Sequence, residues 1–167
     1  MLNKLLNYNA ETGAITWAVN RGRVKAGDSA GYFHKKDGYF YIKIRPNRYP
    51  AHRIAWFLYH GKWPDNVIDH INGNGSDNRI SNLREATVSE NAHNMRRNKN
   101  NTSGYKGVCY DKVNSKWMAY VGLNGRFINL GRYTTKEEAS VAARNGREKW
   151  HKEFHNHGEE VAKRRAK

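Results

Sequence analysis

The chain predicts an α+β fold, and three stretches carry that expectation. Over the first fifty residues, short apolar runs are punctuated by glycines at 13, 22, 27, 31 and 38, as in short strands joined by turns. Residues 67–98, VIDHINGNGSDNRISNLREATVSENAHNMRRN, divide into a strand, a polar loop, a second strand and a helix. Residues 105–157 read as three strands followed by one helix.

In the N-terminal arm the clearest strands are 14–19 and 39–44, the latter alternating as YFYIKI, a period of two that puts every second side chain on one face. Next, AHRIAWFLYHGKWP spaces Ile54, Ala55, Leu58 and Tyr59 for one face of a helix, which Gly61 and Pro64 stop. His52 and Arg53 stand at its start, and packing is the simpler role for His52, because one histidine suffices as a base.

In the central block the strands are expected at 67–71 and 83–86. Thr87 stands three residues before Glu90, a capping-box spacing that starts a helix and places Asn91 in its first turns. Asp69 and His70 therefore lie on one strand, Asn82 follows His70 by twelve positions, and Asn91 follows by another nine. Phosphodiester hydrolysis needs a base for water, a hard cation at the leaving oxygen, and oxygen ligands for that cation. One imidazole and a few carbonyl-type oxygens supply those parts. Taken singly, Asp, Asn and Gly are turn formers, and DHINGNGSDN alone would read as a surface loop. His93 and Asn94, beside Asn91, are expected at the solvent-exposed surface.

Residues 49–94, through DHINGN, NRISNLR and SEN, resemble the HNH endonuclease family, in the variant similar to phage intron-encoded homing endonucleases. The resemblance implies a ββα-metal (His-Me finger) nuclease core at about 67–97, with His70 as general base, Asp69 and Asn91 as ligands of one divalent ion, and Asn82 holding the loop and His70 in place. The third signature position is Asn91 rather than histidine, so the ligands are all oxygen and suit Mg2+ or Mn2+ better than zinc.

The formal net charge of +15 points to a polyanionic partner, with double-stranded DNA expected first. One cysteine, Cys109, excludes an intramolecular disulfide, and no Cys-x-x-Cys pair is present for a structural zinc. No run approaches about 20 consecutive apolar residues, and the N-terminus lacks an extended apolar signal, so a cytoplasmic protein without a membrane partner is expected. No small-molecule cofactor is expected, and a monomer is favoured.

Residues 95–104, MRRNKNNTSG, read as a basic linker between a domain at 1–94 and one at 105–157, with a charged tail at 158–167. Arg96, Arg97 and Lys99 in that linker are expected to neutralise DNA phosphates. Beyond it come YKGVCYDK, KWMAYVGLN and RFINLGRYT, then a helix opened by the Thr135–Glu138 capping box, with Ala139, Ala142, Ala143 and Trp150 on its apolar face. Alternation turns Trp117, Ala119 and Val121 toward the helix and Lys116, Met118 and Tyr120 away from it.

The motifs YKGV, KWMAYV, LGRY and KEEAS resemble an AP2-type DNA-binding domain, in which a three-stranded sheet lies in the major groove. That resemblance implies DNA contacts for Lys106, Lys116, Tyr120 and Arg132. Cys109, Gly122 and Phe127 stand where relatives place base-reading arginines, so base preference does not carry over. The sequence thus reads as a homing-type DNA endonuclease. The competing readings are a non-catalytic, sequence-specific DNA-binding regulator of AP2 type and an RNA-binding protein.

Overall fold

The computed structural model describes residues 2–95, 97–98 and 100–158, and the chain divides into two compact units, Met1–Thr87 and Val88–Lys167. The first opens with a hairpin of β1 (Leu6–Tyr8) and β2 (Ile15–Trp17), paired antiparallel with Leu6 opposite Trp17. β2 is shorter than the expected 14–19. The chain bends away after Trp17 to reach a tight turn, where Arg21 and Val24 exchange backbone hydrogen bonds. A three-stranded antiparallel sheet follows, with β4 (Tyr39–Ile44) between β3 (Tyr32–His34) and β5 (Asn47–Pro50). Its central strand has the bounds that the YFYIKI alternation predicts.

Helix α1 (Ala51–His60) begins after Pro50, whose φ of −61° suits entry into a helix. It ends at Gly61, which takes the left-handed conformation at φ 74° and donates its N–H to the Phe57 carbonyl. Ile54 and Ala55 on α1 are fully buried and meet Ile42 of β4, Leu6, Trp17, Ile68 and Leu83 in one core. Burial of Ile42 and Ile54 contributes roughly 1.5–3 kcal/mol each. The Arg53 guanidinium donates to the carbonyls of Asn66 (3.0 Å) and Pro64 (3.3 Å), fixing the chain that leads into β6 (Val67–His70). β6 pairs antiparallel with β7 (Leu83–Ala86), with Asp69 opposite Arg84 and His70 opposite Leu83.

The second unit begins with the short helix α2 (Val88–His93) and contains an antiparallel sheet of β8 (Val108–Asp111), β9 (Lys116–Leu123) and β10 (Arg126–Tyr133), with β9 in the centre. Asn124 and Gly125 join β9 to β10, both at positive φ (50° and 74°), the conformation a two-residue type I′ hairpin requires. Helix α3 (Lys136–His151) carries the expected capping box: Thr135 accepts from the Glu138 N–H, and the Glu138 carboxylate accepts from the Thr135 N–H. Ala139 and Ala143 are fully buried against Val108 and Ala119, with Trp117 and Leu130 at the edge, so the helix packs on the face the alternation assigns to it. Small residues are needed there. A Cβ on Gly146 would lie 2.5 Å from Leu130 Cδ1.

The division after Thr87 falls before the expected 95–104 linker, so α2 and Asn91 group with the second unit. The end of that linker is packed rather than free: Ser103 is buried, and its hydroxyl donates to the Val108 carbonyl at 2.8 Å. Among the described residues no helix is long and apolar enough to cross a membrane.

Candidate active site

The site in the first unit starts with β6, which delivers two adjacent buried polar residues, Asp69 and His70, each 4% exposed. Successive strand residues face opposite ways, so the two have different partners. The Asp69 Oδ2 accepts from Arg84 Nε (2.9 Å) and Nη2 (2.8 Å) across the ladder, a charge-assisted pair that fixes the carboxylate. His70 Nε2 lies 3.2 Å from the Asn78 Oδ1. A carboxamide oxygen can only accept, so Nε2 donates and the neutral ring keeps its lone pair on Nδ1. Burial pushes the His70 pKa down, while the Asn78 bond and the negative charges of Asp69 and Asp77 oppose that shift. His70 therefore stays neutral below the ordinary histidine pKa.

The loop between β6 and β7 is closed by its own amides. Asn82, buried, accepts from the Asn72 N–H at 3.0 Å and donates through Nδ2 to the Asp77 carbonyl at 2.8 Å and to Asn72 Oδ1 at 3.1 Å. Asn72 in turn donates to the Asp77 carboxylate at 2.8 Å. The Asp77 pKa is held down at about 2, chiefly by its hydrogen bond to Arg79. This network sets the path of the loop that carries Asn78.

The N-terminal arm braces the same loop. Tyr8 donates its hydroxyl to the Asn78 carbonyl at 2.8 Å, and the Ile80 N–H donates to the Ala10 carbonyl at 3.0 Å. Gly13 allows the closest approach: at φ +75°, its Cβ position lies 2.6 Å from the backbone of both Asn78 and Arg79. On another side of His70 stand Tyr39 and His52. The His52 ring meets His70 edge-on at 5.1 Å between centroids, and Tyr39 lies 5.3 Å from His52 and 5.7 Å from His70. Burial, then the neighbouring His70 and Arg53 charges, push the His52 pKa down to about 3, so this second imidazole is neutral at physiological pH. Tyr39, Asn78 and the Gly13 contact were not singled out in the sequence.

Asn91 lies on α2 in the second unit, partly exposed. The proposed ligands Asp69 and Asn91 are a carboxylate and a carboxamide, an oxygen-only set whose chemistry fits a hard divalent ion. No group of three His, Cys, Asp or Glu side chains that could hold a metal ion occurs among the described residues. The neighbours of Asn91 depart from the surface exposure expected of them. Asn94 is buried, with Asn156 donating to its Oδ1 at 3.2 Å, and His93 stacks face to face on His151 with ring centroids 3.8 Å apart.

The residues expected to meet DNA are dispersed. Lys116 is exposed at the start of β9. Arg132 is exposed on the same outer face, where its Nε donates to the Asp111 carboxylate at 2.7 Å, so part of its charge is matched within the protein. Tyr120 is half-buried and meets Phe127 edge-on at 5.3 Å. Lys106 is turned inward: its ammonium donates to the His93 carbonyl at 2.9 Å and the Met95 carbonyl at 2.5 Å, and burial lowers its pKa to about 8. Arg97 donates to the Gly104 carbonyl, while Arg96 and Lys99 lie outside the described residues.

With this geometry in hand, residues 49–93 match the family model described as HNH endonuclease, a stretch that runs from β5 through α1, β6 and β7 to the end of α2. The chain is also similar to Protein 3.8 of Escherichia phage T7, at 38% identity over 80 residues that make up 47% of this chain and 66% of that protein. No solved structure matches the chain.

Proposed function

We propose that the chain is a divalent-metal-dependent DNA endonuclease of the HNH homing type, in which His70 activates water for attack on a backbone phosphate. The observation that carries this reading is the setting of His70: a buried, neutral imidazole with a fixed tautomer, on a strand beside Asp69 and against an amide-locked loop. In the reaction His70 takes a proton from water, the water oxygen bonds to phosphorus in line, and the bond to the 3′ oxygen breaks, leaving a 3′-hydroxyl and a 5′-phosphate. Mg2+ or Mn2+ held by Asp69 and Asn91 would stabilise the negative charge that develops at the phosphate and the departing oxygen. Asn82 acts as a positioning residue, because its three hydrogen bonds tie down the loop that orients His70. Arg84 keeps the Asp69 carboxylate in one rotamer.

The match over residues 49–93 supports nuclease chemistry, and the net charge of +15 supports a nucleic-acid substrate. In the second unit an AP2-like sheet would bind duplex DNA through the outer face of β9 and β10, where Lys116 and Arg132 supply phosphate contacts. Because burial lowers the His70 pKa, cleavage should persist to pH values below the ordinary histidine range before it falls.

Supercoiled plasmid tests the reading. Nicking with Mg2+ or Mn2+ that stops on chelation supports the enzyme; tight duplex binding with no cleavage under either ion supports a non-catalytic DNA-binding protein instead. Competition between duplex DNA and single-stranded RNA at fixed salt separates an RNA-binding protein from both.

A further inference from the structure

The second unit contains a cleft of 720 Å³ that the cleavage reaction does not use. One part of its lining is basic and one part is apolar and aromatic. Lys106 and Arg147 form the basic part, with the neutral His151 beside them; Arg147 is 4% exposed and His151 6% exposed. Arg147 Nη1 donates to the Lys106 carbonyl at 2.6 Å, yet its Nε, although buried, has no hydrogen-bond partner among the described residues. His151 Nε2 donates to the Gly122 carbonyl at 2.7 Å, so its buried Nδ1, also without a partner among the described residues, carries a lone pair and can only accept. The orphaned Arg147 donor on the wall of the cleft calls for an acceptor, because a buried polar group without a partner is costly.

The charge specifies that occupant further. No acidic residue lines the cleft, although Arg97, Lys106, Arg126 and Arg147 all do. Burial together with the Arg147 charge depresses Lys106 to about 8, and burial together with the Arg144 charge depresses Arg147 to about 10. Glu148 offsets part of the Arg147 charge from outside the lining, and an anion in the cleft relieves the rest. The rest of the lining has another chemistry: Val121 and Leu123, and the edge-on pair Tyr120 and Phe127, with Phe127 79% exposed and free to receive a flat ring. The volume lies in the range of small-molecule sites.

We propose that this cleft binds a nucleoside monophosphate unit, with its phosphate on Arg147 and its base against Tyr120 and Phe127. The shared chemistry is that of a free mononucleotide or of a nucleotide at the end of a 5′-phosphorylated single strand. The site is independent of His70 and of cleavage.

Calorimetric titration of the full chain in chelator, where no hydrolysis can intervene, tests the proposal with thymidine monophosphate, thymidine, inorganic phosphate and a short 5′-phosphorylated oligothymidine. Thymidine monophosphate should bind at least about fivefold tighter than either thymidine or inorganic phosphate, given the usual strength of base stacking on an aromatic side chain. Phe127→Ala changes an exposed side chain and should weaken the nucleotide about fivefold or more while leaving phosphate binding unchanged. Arg147→Lys should weaken both. Should Arg147→Lys fail to fold, Phe127→Ala alone decides. Binding of the oligonucleotide without the mononucleotide identifies a strand end as the source, and equal binding of the two identifies the free nucleotide. No binding of either, neither of the two binding tighter than inorganic phosphate, or a Phe127→Ala variant that binds the one found like wild type overturns the proposal.

Discussion

Acid should destabilise the first unit through His52, and the size of the effect follows from its burial. The ring is neutral in the folded protein with a pKa of about 3, whereas in the unfolded chain it returns to about 6.5. Between those values the unfolded state binds the extra proton, so stability is complete above about pH 6.5 and is lost as pH falls toward the folded value. At pH 5 the unfolded chain gains about 1.5 pH units of protonation free energy that the folded chain does not, or about 2 kcal/mol at about 1.4 kcal/mol per unit. That is a large fraction of the roughly 5–15 kcal/mol stability of a typical domain. His52→Phe keeps an aromatic edge against Tyr39 and His70 but cannot take a proton. Peptide-resolved hydrogen exchange over residues 51–60 reports the opening of this unit alone. From pH 7 to pH 5 the stability difference between wild type and His52→Phe should shift by about 2 kcal/mol in favour of the variant. A difference that stays constant between the two pH values would refute the reasoning, since it would mean that His52 takes a proton in the folded state.

Other perturbations test how the loop is held and how the second unit is built. Gly13→Ala forces a side chain into the left-handed region and against the Asn78 and Arg79 backbone, so it should cost upward of about 2 kcal/mol and slow cleavage without touching the reacting residues; urea unfolding and nicking rates measure both effects. Asn78→Ala removes the acceptor that fixes the His70 tautomer and should lower kcat about tenfold or more with duplex affinity unchanged, seen in single-turnover cleavage beside a binding titration. Thr135→Ala deletes the capping box of α3 and should cost about 1 kcal/mol, read from the urea midpoint of the second unit by Trp117 and Trp150 fluorescence, with nicking retained.

The sequence made legible those features written in short-range pattern. β4 came from strict alternation, the start of α3 from Thr135 and Glu138, and the β6–β7 hairpin from two apolar runs flanking a turn-rich loop. The packed face of β9 followed from the same alternation, because a sheet with one covered face cannot slip by one residue without exposing its core. What surrounds His70 was less accessible. Tyr39 and His52 reach it from a different strand and from helix α1, through a tertiary arrangement that local periodicity does not encode. Within the loop, Asn72, Asn74, Asn78 and Asn82 look alike in sequence; only the fold shows that Asn78 turns to the imidazole while Asn82 turns to the backbone. Gly13 gave the one available hint, an isolated glycine in a turn, but not the contact it permits. Lys106 shows the limit in the second unit: the resemblance turns it toward DNA, yet carbonyls of His93 and Met95 capture its ammonium.

Hydrolysis rests on His70 as the base, and replacement of its imidazole tests that role most directly. His70→Gly should bind duplex DNA like wild type but cleave about 10²–10⁴-fold more slowly under single-turnover conditions, and free imidazole should restore part of the lost rate in a concentration-dependent way. A His70→Gly protein that cleaves at the wild-type rate, or one whose lost rate free imidazole does not raise at all, would contradict the assignment.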